Sequence, residues 1–197
     1  IASILMGDVN PSGKLPFTFP VSLADVGAHK LGEYPGTPRN DGSNIVDEKY
    51  NESIFVGYRW TDKEKITPLF PFGHGLSYTS YKYGKAVIDK NIMGDDEVLT
   101  VTVPITNIGM RAGSEIVQMY ISDLKSSLPR PVKELKGFSK VSLEPGETKK
   151  VTFTINKEAL SFFDDVRHEW IAEPGIFKAI IAASATDIRS SVIFEYK

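Results

Sequence analysis

The chain has 197 residues, 41% hydrophobic and 24% charged, with a formal net charge of −2, enough for one large domain or one domain with a piece of another. Its charge balance gives no general basic field for nucleic acid, and its apolar runs are far too short to span a bilayer. It contains no cysteine, which excludes disulfides, thiol catalysis and cysteine-ligated zinc.

The first residue is Ile, and neither a charged leader nor a long apolar one follows. Ile1 to Met6 is too short for an independent helix. It reads as the last turns of a helix begun upstream, with Gly7 at the C′ position. GDVNPSGKL, Gly7 to Leu15, then suggests a phosphate loop. Five residues separate its glycines instead of four, Leu15 stands where a metal-binding hydroxyl belongs, and Pro11 removes an N–H donor. The stretch reads as a turn, with Pro11 at i+1 and Gly13 free to take φ > 0.

PFTFPVS (16–22) and SIFVGYRW (53–60) read as short strands. Between them GEYPGTPRNDGSNIVDEKYNE reads as a long loop, a length that suits a segment laid over another surface. Within it Asn40-Asp41-Gly42-Ser43-Asn44 hints at a calcium loop. The spacing fails and no bidentate Glu follows in place, so a solvated turn is the better reading.

After residue 78 the texture changes to alternation. Leu99, Val101, Val103 and Ile105 fall on one face of EVLTVTVPITN, and Val151, Phe153 and Ile155 on one face of KKVTFTIN. SEIVQMYIS, GIFKAIIAAS and SVIFEYK are further apolar runs, separated by turn signals such as Glu144-Pro145-Gly146 and Glu173-Pro174-Gly175. Short strands so spaced predict an all-β sandwich. Pro104 within a strand predicts an edge or a bulge. Residues 157–163 have room for one helical turn at most.

His29, His74 and His168 are far apart and lack metal-ligand spacing, so they read as structural. No G-x-S-x-G elbow occurs. Asp95-Asp96 and Asp164-Asp165 are adjacent pairs, which point to opposite faces of a strand and suit turns better than acid/base work. Lys125, Arg130, Lys133, Lys136 and Lys140 form a basic stretch, read as guarding an edge strand rather than binding phosphate. Phe162, Phe163, Trp170 and Tyr120 have the chemistry to stack on sugars, but aromatics in a sandwich usually fill its core. Trp170 is accordingly expected to be buried.

GDVNPSGKLPFTFP, YNESIFVGYRWTDKEKITPLFPFGHGLSYTSYKY and VKELKGFSKVSLEPGETKKVTFTI, in that order, resemble the C-terminal part of glycoside hydrolase family 3, the β-glucosidase family. GSEIVQMYISD and HEWIAEPGIFKAII are similar to its terminal domain. The resemblance implies a fibronectin type III-like (immunoglobulin-like) β-sandwich at 78–197, mainly β in class. Before it, residues 1–77 would be an irregular strap from the end of an α/β sandwich domain. It further implies partners upstream, a barrel and the α/β domain of the same enzyme, which would hold the nucleophilic Asp and the acid/base Glu. The substrate of the complete enzyme would be a β-glucoside. No catalytic, cofactor-binding or metal residue is assigned to this chain, and no cofactor, nucleic acid or membrane span is expected. A stand-alone sandwich module that binds carbohydrate or protein is the alternative. Apolar groups of the strap, among them Phe17, Phe19, Ile54, Phe55, Tyr58 and Trp60, would face absent partners, with Phe70 and Phe72 packing on the sandwich. Where relatives commonly carry Glu-Gly, this chain has Glu52-Ser53, so the turn there is expected to differ.

Overall fold

The computed structural model describes all residues, 1–197. It opens with a short helix, α1 (Ala2–Leu5), closed by Gly7 at φ 84. The Asp8 N–H reaches Ser3 O at 2.8 Å and the Gly7 N–H reaches Ile4 O at 3.0 Å. This paired closure satisfies carbonyls that a helix end leaves free, and it agrees with the reading of Gly7 as the closing glycine. The expected turn at 10–13 is absent. Gly13 is not at positive φ, and the Asn10 side chain anchors the stretch to its neighbours.

The front segment continues through α2 (Gly27–Lys30) and a two-residue hairpin, β1 (Thr37–Pro38) with β2 (Val46–Asp47). Then comes α3 (Tyr58–Glu64). Neither expected strand forms. In PFTFPVS, Pro16 and Pro20 deny the ladder its N–H groups, and a single bridge, Phe19 to Phe70, remains. SIFVGYRW ends in α3 instead. Tyr58 and Trp60 sit two residues apart, about 200° around a helix, so they bury in different directions. Tyr58 packs on the sandwich and Trp60 against Gly27. A strand would have put both on one face.

From residue 81 two sheets face each other. One has five strands in the order β5 (Ile92–Met93), β13 (Ile188–Tyr196), β12 (Gly175–Ala182), β7 (Gly113–Asp123) and β8 (Glu134–Leu143). In the other, β6 (Leu99–Asn107) lies between β9 (Thr148–Ile155) on one side and β3 (Tyr81–Tyr83) and β4 (Val87–Ile88) on the other. All pairs are antiparallel except β5 with β13. The predicted alternation holds: Leu99, Val101, Val103, Ile105, Val151, Phe153 and Ile155 lie in a core cluster of 19 buried residues. A short helix, α4 (Lys157–Leu160), capped by Asn156, and a hairpin, β10 (Phe162–Asp164) with β11 (Glu169–Ile171), complete the fold.

Pro104 is neither at an edge nor in a bulge. It pairs with Lys150 in the middle of its sheet. Its carbonyl accepts the Gly84 N–H at 2.8 Å, in the break between β3 and β4. In an antiparallel strand a residue's N and O point to the same side. The missing proline donor therefore faces the one place where no ladder partner is needed.

Candidate functional site: the docked front segment

Strand β7 is buried on both faces. Val117, Met119 and Ile121 enter the main core, while Tyr120 joins Ile180, Ala182 and Ala185 in a second cluster on the outer face. Tyr58, Phe72 and Leu135 pack on that cluster. The Tyr58 ring meets Tyr120 edge-on at 5.7 Å, and its hydroxyl accepts the Leu135 N–H at 2.9 Å. Lys133, buried, forms an ion pair with Asp62 of α3. Phe72 thus docks as expected, whereas Phe70 stays at the surface beside Phe19 and His74.

Gly73 explains the PFGHG run. At φ 78 its backbone lies flat on Gln118, where any side chain would collide with the amide. The Gln118 amide donates to Gly73 O and Ala183 O at 3.3 and 3.0 Å, and the Tyr120 hydroxyl donates back to it at 2.6 Å. Burial raises the Tyr120 hydroxyl well above its ordinary value.

Beside this contact lies a cleft of about 650 Å³ between residues 69–81 and the sandwich. Lys14 reaches across to Glu115 at 3.1 Å, and the Tyr83 hydroxyl donates to the same carboxylate at 2.8 Å. Burial, then the Glu115 charge, pushes Tyr83 far up. Asn10 accepts from Ser77 Oγ and the Tyr78 N–H and donates to Ala112 O. Arg111 donates to Gly7 O at 3.0 Å. These contacts hold the start of the chain to the sandwich.

The basic stretch separates by role. Arg130 is buried between Asp123 and Glu134, at 3.1 and 2.9 Å, and Lys133 binds Asp62. Lys140 is exposed on β8, which is an edge strand as expected. Burial lowers the Lys136 ammonium. The histidines do not meet: His29 packs on Tyr34, His74 on Phe70, and His168 takes a positive φ in the β10–β11 turn. Asp41 accepts the Ser43 N–H in a local turn. Asp95 pairs with Lys157 at 2.8 Å, and Asp164 caps the turn N–H groups of Val166 and Arg167. No three His, Asp or Glu side chains gather as a metal site would require.

Besides Phe70, which stays at the surface, and Tyr58, which docks on Tyr120 instead of facing absent partners, further aromatic expectations are overturned. Trp170 is 70% exposed. Its cross-strand partner is Phe163, with ring centroids 5.8 Å apart, and both rings stand on the outer face of the hairpin while Phe162 turns inward. Alternation along so short a strand sends neighbouring residues to opposite sides. Trp60, expected to lack partners, is 4% exposed, and its indole N–H donates to Asp25 O at 3.0 Å. Phe17, Phe19 and Ile54 remain exposed as anticipated.

The architecture is that of a fibronectin type III-like sandwich onto which the end of a preceding domain is strapped. Matching family models carry the same two descriptions: a glycosyl hydrolase family 3 C-terminal domain over residues 1–78 and a fibronectin type III-like domain over 115–185. The β-glucosidase BoGH3A of Bacteroides ovatus is 53% identical over 198 residues, covering 100% of this chain and 26% of that protein. Thermostable β-glucosidase B of Acetivibrio thermocellus is 47% identical over 95% of this chain and 24% of its own length. Among solved structures, β-glucosidase 3B of Thermotoga neapolitana in complex with glucose superposes with a TM-score of 0.85 at 37% identity, covering 98% of this chain and 26% of that one. The chain matches the C-terminal portion of glycoside hydrolase family 3 β-glucosidases. It spans about a quarter of the length of these relatives.

Proposed function

We propose that this chain is the C-terminal scaffold of a retaining β-glucosidase. The complete enzyme would hydrolyse terminal β-D-glucosyl residues through a covalent glycosyl-enzyme, with nucleophile and acid/base upstream of Ile1. Within the chain we place the boundary at residues 77 and 78, between the tail of the α/β domain and the sandwich, and assign no catalytic, cofactor or metal residue to either part. The observation that carries the reading is similarity along the whole chain to enzymes four times as long, joined to a front segment with many exposed apolar side chains. Ile1, Leu5, Val21, Leu23, Ile54 and Val56 all face outward, the signature of a surface made to be covered. The barrel and α/β domain are the proposed partners. The experiment assays the chain alone and the complete enzyme on an aryl β-glucoside. Turnover is expected from the complete enzyme and none from the chain; turnover by the purified chain that persists through repurification would overturn the reading.

A further inference from the structure

Glu52 is a buried residue at the turn before α3, 8% exposed, and its carboxylate makes no hydrogen bond or ion pair. Its Oε2 is fully enclosed without a partner. So is Thr18 Oγ1, and the two line the same cavity of about 250 Å³. Much of the remaining wall is apolar or glycine, including Val26, Gly27, Phe55, Val56 and Trp60, and the Thr61 hydroxyl that also lines it is spent on Tyr58 O. No lysine or arginine lines it, and its other acid, Asp25, is engaged by Ser22. Lys30 and Lys63 lie over the Trp60 ring at 5.8 and 5.6 Å, and neither pairs with Glu52. Lys30 binds Glu64 instead.

The site is held open by its surroundings. A side chain at Gly27 would press on the Trp60 ring and on Glu52 Cβ at 3.1 and 3.2 Å, so the glycine lets the three pack. Ser53, next in sequence, sits at φ 54, a conformation L-residues avoid. A buried carboxylate without a donor is strongly unfavourable, and native proteins pair such groups. An enclosed carboxylate oxygen and an enclosed hydroxyl that share one small cavity call for a cationic donor.

We propose that this cavity is the socket for a basic side chain, a guanidinium or ammonium group carried by the protein upstream of Ile1. Its apolar wall takes the methylene stem, Trp60 lies beside the charge, and Glu52 and Thr18 accept its N–H groups. This rests on the scaffold reading above, and the test separates the two.

The test compares Glu52→Leu and the milder Glu52→Gln in the 197-residue chain and in the complete enzyme, by amide exchange over residues 27–31 and 58–61. In the chain alone both variants remove an unpaired charge, so exchange should slow. In the complete enzyme they orphan the incoming cation, so exchange should quicken by about tenfold or more. Thr18→Val should follow the same inversion more weakly. A change of the same sign in both contexts, or none in either, overturns the socket. If these amides exchange no more slowly in the unmodified enzyme than in the chain, the strap is not covered and the scaffold reading falls with the socket. If they are protected there but the sign does not invert, the socket alone falls.

Discussion

At the scale of single residues, Ser53 tests how a local substitution bears on the fold. Its φ of 54 lies in the left-handed region, where a Cβ costs about 1–2 kcal/mol and glycine sits freely. Glycine also has more freedom to lose on folding. Ser53→Gly is therefore expected to raise stability by about 0.5–1 kcal/mol, read as a higher urea midpoint at unchanged slope. An unchanged or lower midpoint would show that the serine hydroxyl or the surrounding fit offsets the strain. Trp170 makes the opposite point. A core tryptophan costs about 3–5 kcal/mol on truncation, but this one stands outside with Phe163 as its aromatic neighbour. Such a cross-strand pair contributes about 0.2–1 kcal/mol. Trp170→Ala should lower stability by no more than that, and a loss of several kcal/mol in thermal denaturation would contradict the exposed placement.

At the scale of elements, the junction between the front segment and the five-stranded sheet depends on groups that must hold their protonation state. The hydroxyls of Tyr83 and Tyr120 are both raised above the ordinary tyrosine value by burial, and Tyr83 also faces the Glu115 carboxylate. In the unfolded chain they ionise near pH 10. Their contribution to stability is therefore fully present below about pH 10 and is lost as pH rises beyond it, because the native state resists giving up the protons. Urea midpoints should fall above that pH, and Tyr83→Phe should flatten the fall; an equally steep fall in the variant would remove Tyr83 from the account. Lys14→Met, which leaves Glu115 buried with only the tyrosine donor, should cost about 3–5 kcal/mol near neutral pH. The strands of the sandwich were legible because their faces alternate between core and solvent. The junction was not. Tyr58, Trp60 and Phe72 carry no period, since each packs on a residue remote in sequence: Tyr120, Gly27 and again Tyr58. Glu52 gave a clue only through its neighbour Ser53, and nothing in the sequence marks it as buried.

At the scale of the whole molecule, the structure divides by how each stretch is held, and amide exchange should follow that division. Strands β6 and β9 pair across eight residues and line the main core, so their amides should exchange only through global unfolding. Two parts of the front segment are tied to the sandwich or to each other. The Leu15 N–H donates to His74 O and the Gly73 N–H to Leu15 O, both at 2.8 Å, and α3 is pinned by Tyr58 and by Lys133–Asp62. These should show intermediate protection. Residues 39–51 hold little beyond a two-residue hairpin and the exposed Arg39–Asp47 pair, and exposed pairs contribute roughly 0–1 kcal/mol. Their amides should exchange fastest. The front segment is not uniformly loose, because Asn10 and Lys14 already clasp the sandwich. Supplying the upstream domains as a separate chain should slow exchange in the front segment and leave β6 and β9 unchanged, since a partner that binds only the ordered form stabilises that form by mass action. Uniformly slow exchange from Ile1 to Lys197 without the partner would mean that the exposed apolar face of the strap needs no cover, and the scaffold role would have to be abandoned.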